Sequence, residues 1–136
     1  MVHKFTLLKG INGIAIFLDI DELVNAELGT GCIYLSEQIY IKLEDEIIFL
    51  SIEELDKYIK PAISELSMEI LRKRPNMKIC LHIKSVVTNP IYFQEEGLYY
   101  AMLGWLSVYY NIELPSIVSW YNKEKRKFEF EPIRKF

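Results

Sequence analysis

Cysteine is scarce, with only Cys32 and Cys80 in the chain. They are far apart and form no Cys-x-x-Cys pair, so zinc-ribbon and thioredoxin-type chemistry find no support. Each sits in an apolar run and reads as a small buried hydrophobe in a reducing compartment. Histidine is equally sparse: His3 and His82 have no histidine or carboxylate at ligand spacing, so no metal site is expected. Glycine (6) and proline (5) are too few for a low-complexity or disordered chain. No Gly-x-Gly-x-x-Gly, phosphate loop or nucleophile elbow occurs, so neither a nucleotide cofactor nor serine-type catalysis is expected. The longest apolar stretch, 97–112, contains Ser107 and falls short of the roughly 20 residues a membrane span needs. The N-terminus lacks the basic, apolar and small-residue regions of a secretion signal, so the expected location is cytoplasmic.

What remains is rich in core material. Of 136 residues, 51% are hydrophobic and 13% aromatic, which reads as one domain over 1–136. A chain of this size buries about two-thirds of its unfolded surface without metal or disulfide staples.

Charge is unevenly spread. Residues 1–71 hold five basic side chains against thirteen acidic; residues 72–136 hold eleven against six. Such a split gives either an acidic face that would speed encounter with a basic partner, or mixed charge if the two halves interleave in the fold. Its carriers are two clusters at turns, Asp19, Asp21 and Glu22, then Glu44, Asp45 and Glu46. The first lacks the glycine and distal glutamate of a calcium loop.

The expected fold class is α+β, a mostly antiparallel sheet packed against two main helices, about 51–73 and 94–111, with a C-terminal β-hairpin. Residues 4–9 read as a strand, Asn12-Gly13 as a turn signal, and 14–18 as a strand buried on both sides. Asp19, with Glu22 three residues on, reads as the cap of a short helix ending before Gly29. Strands are expected at 32–35 and 38–43, the latter paired with 47–50 across an acidic turn. Ser51 and Glu54 form a capping box, and Leu50 and Leu55 a hydrophobic staple. Pro61 should bend the helix that follows, and Pro75 should end it. Residues 77–87 alternate as a strand. Ile117 to Tyr121 and Phe128 to Glu131 should pair across a basic loop, 122–127, with Phe128 and Phe130 inward.

The helix at 94–111 is apolar nearly all round. At 100° per residue, Gly97, Ala101, Gly104 and Val108 share one narrow stripe, suited to close packing on the sheet. A helix of this kind is central to a core or covered by a partner. Tyr99, Leu103 and Tyr110 lie on the side where a partner, or a second copy of the chain, would sit. Glu95-Glu96 at its start suits the helix dipole better than acid–base catalysis. The basic loop around Lys125, Arg126 and Lys127 would suit a phosphate backbone, but Glu124, Glu129 and Glu131 are interleaved with it, and nucleic acid is a secondary expectation.

Two resemblances follow. Phe93-Gln94-Glu95-Glu96-Gly97-Leu98, Gly104-Trp105 and the hairpin from Pro115 to Phe130 resemble the ending of small uncharacterised bacterial proteins, with no activity implied. As a short, acidic, lysine- and isoleucine-rich chain without catalytic motifs, the protein is also similar to immunity proteins of bacterial toxin systems, including contact-dependent growth inhibition. That similarity implies a non-enzymatic protein that binds and blocks a cognate toxin domain, without cofactor or metal. The residues expected to contact the partner are Asp19, Asp21, Glu22, Glu44, Asp45, Glu46, Tyr99 and Tyr110. The alternative is a small nucleic-acid or ribosome-associated α+β domain using the 123–127 loop.

Overall fold

The computed structural model describes residues 1–25, 31–45, 50–89, 91–115 and 117–132. It is α+β, as expected: a five-stranded sheet, a helical layer on one of its faces and a separate two-stranded hairpin. The strands are β1 (Val2–Lys9), β2 (Asn12–Val24), β3 (Ile33–Tyr34), β4 (Ile39–Leu43) and β5 (Ile79–Thr88), in the spatial order β1-β2-β5-β4-β3. The pairs β1–β2, β2–β5 and β3–β4 are antiparallel, whereas β4–β5 is parallel.

The first turn falls at Gly10-Ile11, since Lys9 pairs with Asn12. Gly10, at φ 61°, takes the left-handed conformation that the first position of a tight hairpin demands. The Asn-Gly signal therefore marks the start of β2 instead of the turn itself.

The short helix expected at 19–24 does not form; this segment continues β2 for its full thirteen residues. Its cap-like spacing is a local preference. Partners on both sides outweigh it, with Asp19 opposite Val2 on β1 and residues 20–24 paired along β5. A bulge between Asp19 and Ile20 absorbs the register shift. Nor is 14–18 buried on both sides: Ile14, Ile16, Leu18 and Ile20 are buried, while Ala15 and Phe17 lie half-buried on the opposite face.

The helical layer begins with the expected capping box. Ser51 Oγ accepts from Glu54 N, and Glu54 Oε1 accepts from Ser51 N. Helix α1 (Ile52–Glu54) widens into a π-helical turn at Leu55–Ile59, then α2 (Lys60–Glu65) follows. Pro61 supplies no N–H and would crowd the carbonyl a turn back, so a π-turn just before it relieves the clash. A second break at Leu66, unforeseen from the sequence, separates α3 (Ser67–Lys73). The expected hairpin partner of 38–43 at 47–50 lies largely outside the described residues.

Helix α4 (Gly97–Tyr110) ends at Asn111, in the left-handed conformation at φ 55°. Strands β6 (Ile117–Asn122) and β7 (Lys127–Pro132) form the expected hairpin, with Phe128 buried. Gln94 ties this hairpin to the start of α4: its amide donates to Phe128 O and accepts from Phe128 N, both at 2.7 Å. Tyr100 stacks on Phe130 at 4.2 Å.

The small-residue stripe of α4 is where the helix meets the sheet. A Cβ at Gly97 would lie 2.9 Å from Ile14 Cγ2, and one at Gly104 would collide with the His3 ring. Val108 departs from the stripe and is 61% exposed. Gly104 already faces His3, and β1 begins one residue earlier, so a turn further on no strand remains to pack against. Leu98, Ala101, Met102, Trp105 and Leu106 are all buried within the fold.

Burial holds the His3 imidazole below its ordinary pKa of 6.5. The unfolded chain therefore binds this proton more readily than the fold does. The contribution of His3 to stability is complete above about pH 6.5 and declines as pH falls below it. Urea midpoints at about pH 7.5 and 5.5 should show this loss. The pH difference should shrink in His3→Gln; an unchanged difference would assign the loss to other groups.

Candidate binding face

The helices cover only one face of the sheet. Inward along β2 and β5 point Ile16, Leu18, Ile20, Ile79, Leu81 and Ile83, all at or below 1% exposure. Strand alternation sends their neighbours to the other face. Register assembles that face from paired neighbours: Lys4 beside Phe17, Asp19 beside Ser85, Asp21 beside His82, Leu23 beside Cys80, and Tyr40 and Lys42 of β4 beside Cys80 and His82. Among the described residues no helix lies over it.

The face carries exposed apolar and aromatic side chains: Val2, Tyr34 (59%), Val87 (50%) and Leu23 (37%). Tyr34 and Tyr40 meet edge to face at 5.7 Å, and the Lys4 ammonium lies 5.3 Å from the Phe17 ring centroid. Cys80 is buried here beside Cys32; burial, and secondarily that neighbouring thiol, push Cys80 up to about 11, so it stays a thiol at neutral pH. Both cysteines are free.

Three of the acidic residues singled out from sequence meet on this face, each beside a basic side chain or the Met1 ammonium. Asp19 and Asp21 lie 3.7 and 3.6 Å from the Met1 ammonium, and Asp21 lies 3.4 Å from Lys84 Nζ. Desolvation alone would raise Asp21, but Lys84 and the Met1 ammonium outweigh it and hold the carboxyl below its usual range. Glu44 Oε2 lies 2.7 Å from His82 Nε2 without hydrogen-bond alignment, and that nitrogen has no hydrogen-bond partner among the described residues. With Lys4 and Lys42 also present, the face is one of matched charges, not the acidic patch the clusters suggested. Asp45 is exposed past the end of β4, and Glu46 lies outside the described residues.

Glu22 and Tyr110 must be removed from the contact set. Glu22 pairs with Leu81 in register, so its side chain turns inward and is 3% exposed. Arg74 donates to Glu22 Oε1 from Nε at 3.1 Å and from a terminal nitrogen at 2.9 Å. The Tyr109 hydroxyl donates to the same oxygen at 3.2 Å, and Tyr110 donates to Oε2. The Arg74 guanidinium also lies 5.2 Å from the Tyr110 ring centroid. Tyr110 is 3% exposed; burial, then its bond to Glu22, push its hydroxyl far above the ordinary value. This cluster fastens the ends of β2, α3 and α4 together. Sequence spacing gave no sign of it, because Glu22 is more than fifty residues from each of its partners.

Tyr99 is half-buried at a cavity of about 180 Å³ in the helical layer, together with Leu66, Tyr100, Leu103, Pro115 and Glu65. A second, polar cleft of about 200 Å³ gathers Ser51, Glu53, Glu54, Lys57 and Glu95, with the Tyr58 hydroxyl donating to Glu95 Oε1 at 2.9 Å. In the basic loop, Lys125 lies 3.6 Å from Glu129, and Lys127 lies 3.9 Å from Glu96. These carboxylates offset part of the charge a phosphate backbone would meet. Among the described residues no group of three or more ligand-type side chains converges for a metal, and no helix is long and apolar enough to cross a membrane.

No protein-family model matches the chain, and neither does any curated protein or solved structure.

Proposed function

We propose that this chain is a non-enzymatic binding protein of the immunity type, which holds and blocks a cognate bacterial toxin domain in the cytoplasm, and that the bare face of the five-stranded sheet is its contact surface. The observation that carries this reading is the sheet itself. A helical layer seals one face. The other exposes Val2, Leu23, Tyr34 and Val87, interspersed with Asp19, Asp21, Glu44, Lys4, Lys42 and Lys84. Contiguous exposed apolar groups among polar ones mark interaction surfaces, and aromatic side chains are enriched in them.

The mechanism is occlusion. A paired sheet is rigid, so the face would dock with little ordering cost. Val87 and Tyr34 would supply desolvated contact. Asp19 and Asp21 would exchange their internal cations, and Glu44 its contact with His82, for basic groups of the toxin, favouring correct orientation and fast encounter more than raw affinity.

The test is binding to the product of the neighbouring gene, measured calorimetrically. Tyr34→Glu and Val87→Glu should each weaken binding by about thirtyfold or more, as loss of a central anchor does. Met68→Glu, on the exposed side of α3, should leave binding unchanged. A complex that ignores both face substitutions, or a neighbour that does not bind, would contradict the reading.

A further inference from the structure

The cavity in the helical layer has a composition of its own, independent of the sheet face. Leu66 closes the end of α2, Leu103 lies on α4, and Pro115 belongs to the connection into β6. Against these apolar walls stand two tyrosines. Tyr99 and Tyr100 meet edge to face, with ring planes at 89° and centroids 5.0 Å apart. Tyr100 is fixed by stacking on Phe130 at 4.2 Å and, more loosely, Phe5 at 6.4 Å. Tyr99 makes no ring contact besides Tyr100 among the described residues, so its aromatic surface is not covered by a further ring. Among the described residues Glu65 is the one charged side chain in the lining.

Apolar walls, perpendicular tyrosines and a single carboxylate select for a particular ligand chemistry. A neutral apolar molecule would leave Glu65 unused. An anion would meet its charge and the negative faces of the rings. A cation gains from both, since aromatic faces attract cations, more strongly as water is excluded. The volume of about 180 Å³ is close to that of cavities that take a single small ring.

We propose that this cavity binds a small organic cation, an alkyl- or methylammonium head on a short apolar body, with the head between the Tyr99 ring and the Glu65 carboxylate. The ligand is a free small molecule: the site is a pocket for one compact group, built from three separate stretches of chain.

Choline and its uncharged isostere 3,3-dimethylbutan-1-ol, titrated into the full chain and followed by tyrosine ring shifts in nuclear magnetic resonance, test the assignment. Choline should bind at least about tenfold more tightly than the isostere, the expected share of a cation–aromatic contact and one carboxylate. Glu65→Gln and Tyr99→Leu should each weaken choline by about tenfold. Tyr99→Phe, which keeps the ring, should bind as the parent does. Glu65 is exposed and Tyr99 half-buried, so these variants should fold, and thermal melts will verify it. Equal affinity for the two ligands, no saturable shift with either, or equal loss in Tyr99→Phe and Tyr99→Leu would overturn the proposal.

Discussion

Replacing Arg74 with methionine is expected to destabilise the fold by about 3 kcal/mol, the lower end of the cost of breaking a buried ion pair. The lower end applies because Arg74 is 30% exposed and partly screened, whereas Glu22 is 3% exposed and cannot regain water without moving β2. The variant leaves the carboxylate with only the Tyr109 and Tyr110 hydroxyls as donors. Removing both charges should be far milder. Glu22→Leu with Arg74→Met exchanges the pair for apolar groups of similar size, and such exchanges are often neutral or stabilising. Urea denaturation of the two single variants and the double variant, read as a thermodynamic cycle, checks this. A double variant as unstable as the sum of the singles would show that the two side chains act separately.

Trp105→Ala should be the other severe substitution, at about 3–5 kcal/mol. Trp105 is fully buried, stacks on Tyr109 at 4.7 Å, and donates from Nε1 to Met1 O at 2.8 Å. Its loss opens a cavity beneath α4 and frees the start of β1 from the helix. Trp105→Phe should recover much of the packing but remove one of two donors to Met1 O, which keeps the Ile20 N–H at 3.1 Å, an additional cost of about 1 kcal/mol for one lost hydrogen bond. Denaturant midpoints would rank parent, Trp105→Phe and Trp105→Ala in that order. Fluorescence should agree: Trp120 is 42% exposed, so the buried-indole emission belongs to Trp105 and should vanish in both variants.

Features set by short-range chemistry were legible before the structure was known. The capping box at Ser51, the apolar helix with its glycine stripe, and the C-terminal hairpin all depend on neighbours within a few turns. Features decided across the sheet were not. Asp19 to Val24 has a helix-like start, yet lies between β1 and β5 and extends as strand. The parallel pairing of β4 with β5 has no local signature at all.

The same division holds for the contact residues. Their acidity was evident, but their partners were not. Asp19 and Asp21 face the Met1 ammonium, Glu44 faces His82, and Glu22 faces inward toward Arg74 because alternation along β2 reverses direction at each residue. An acidic sequence half therefore became a sheet face of matched charge that also exposes apolar and aromatic groups. Tyr99 and Tyr110, grouped by helical position, separated into a cavity wall and a buried member of the Glu22 cluster.

The central claim is that the bare sheet face meets the toxin, and oxidative footprinting of the chain, free and mixed with the product of the adjacent gene, tests it most directly. Tyr34, Leu23 and Val87 should lose reactivity in the mixture, while Met68 and Ile52, exposed on the helical layer, should not. Protection confined to the helical layer, with Tyr34 and Val87 as reactive as in the free chain, would contradict the account.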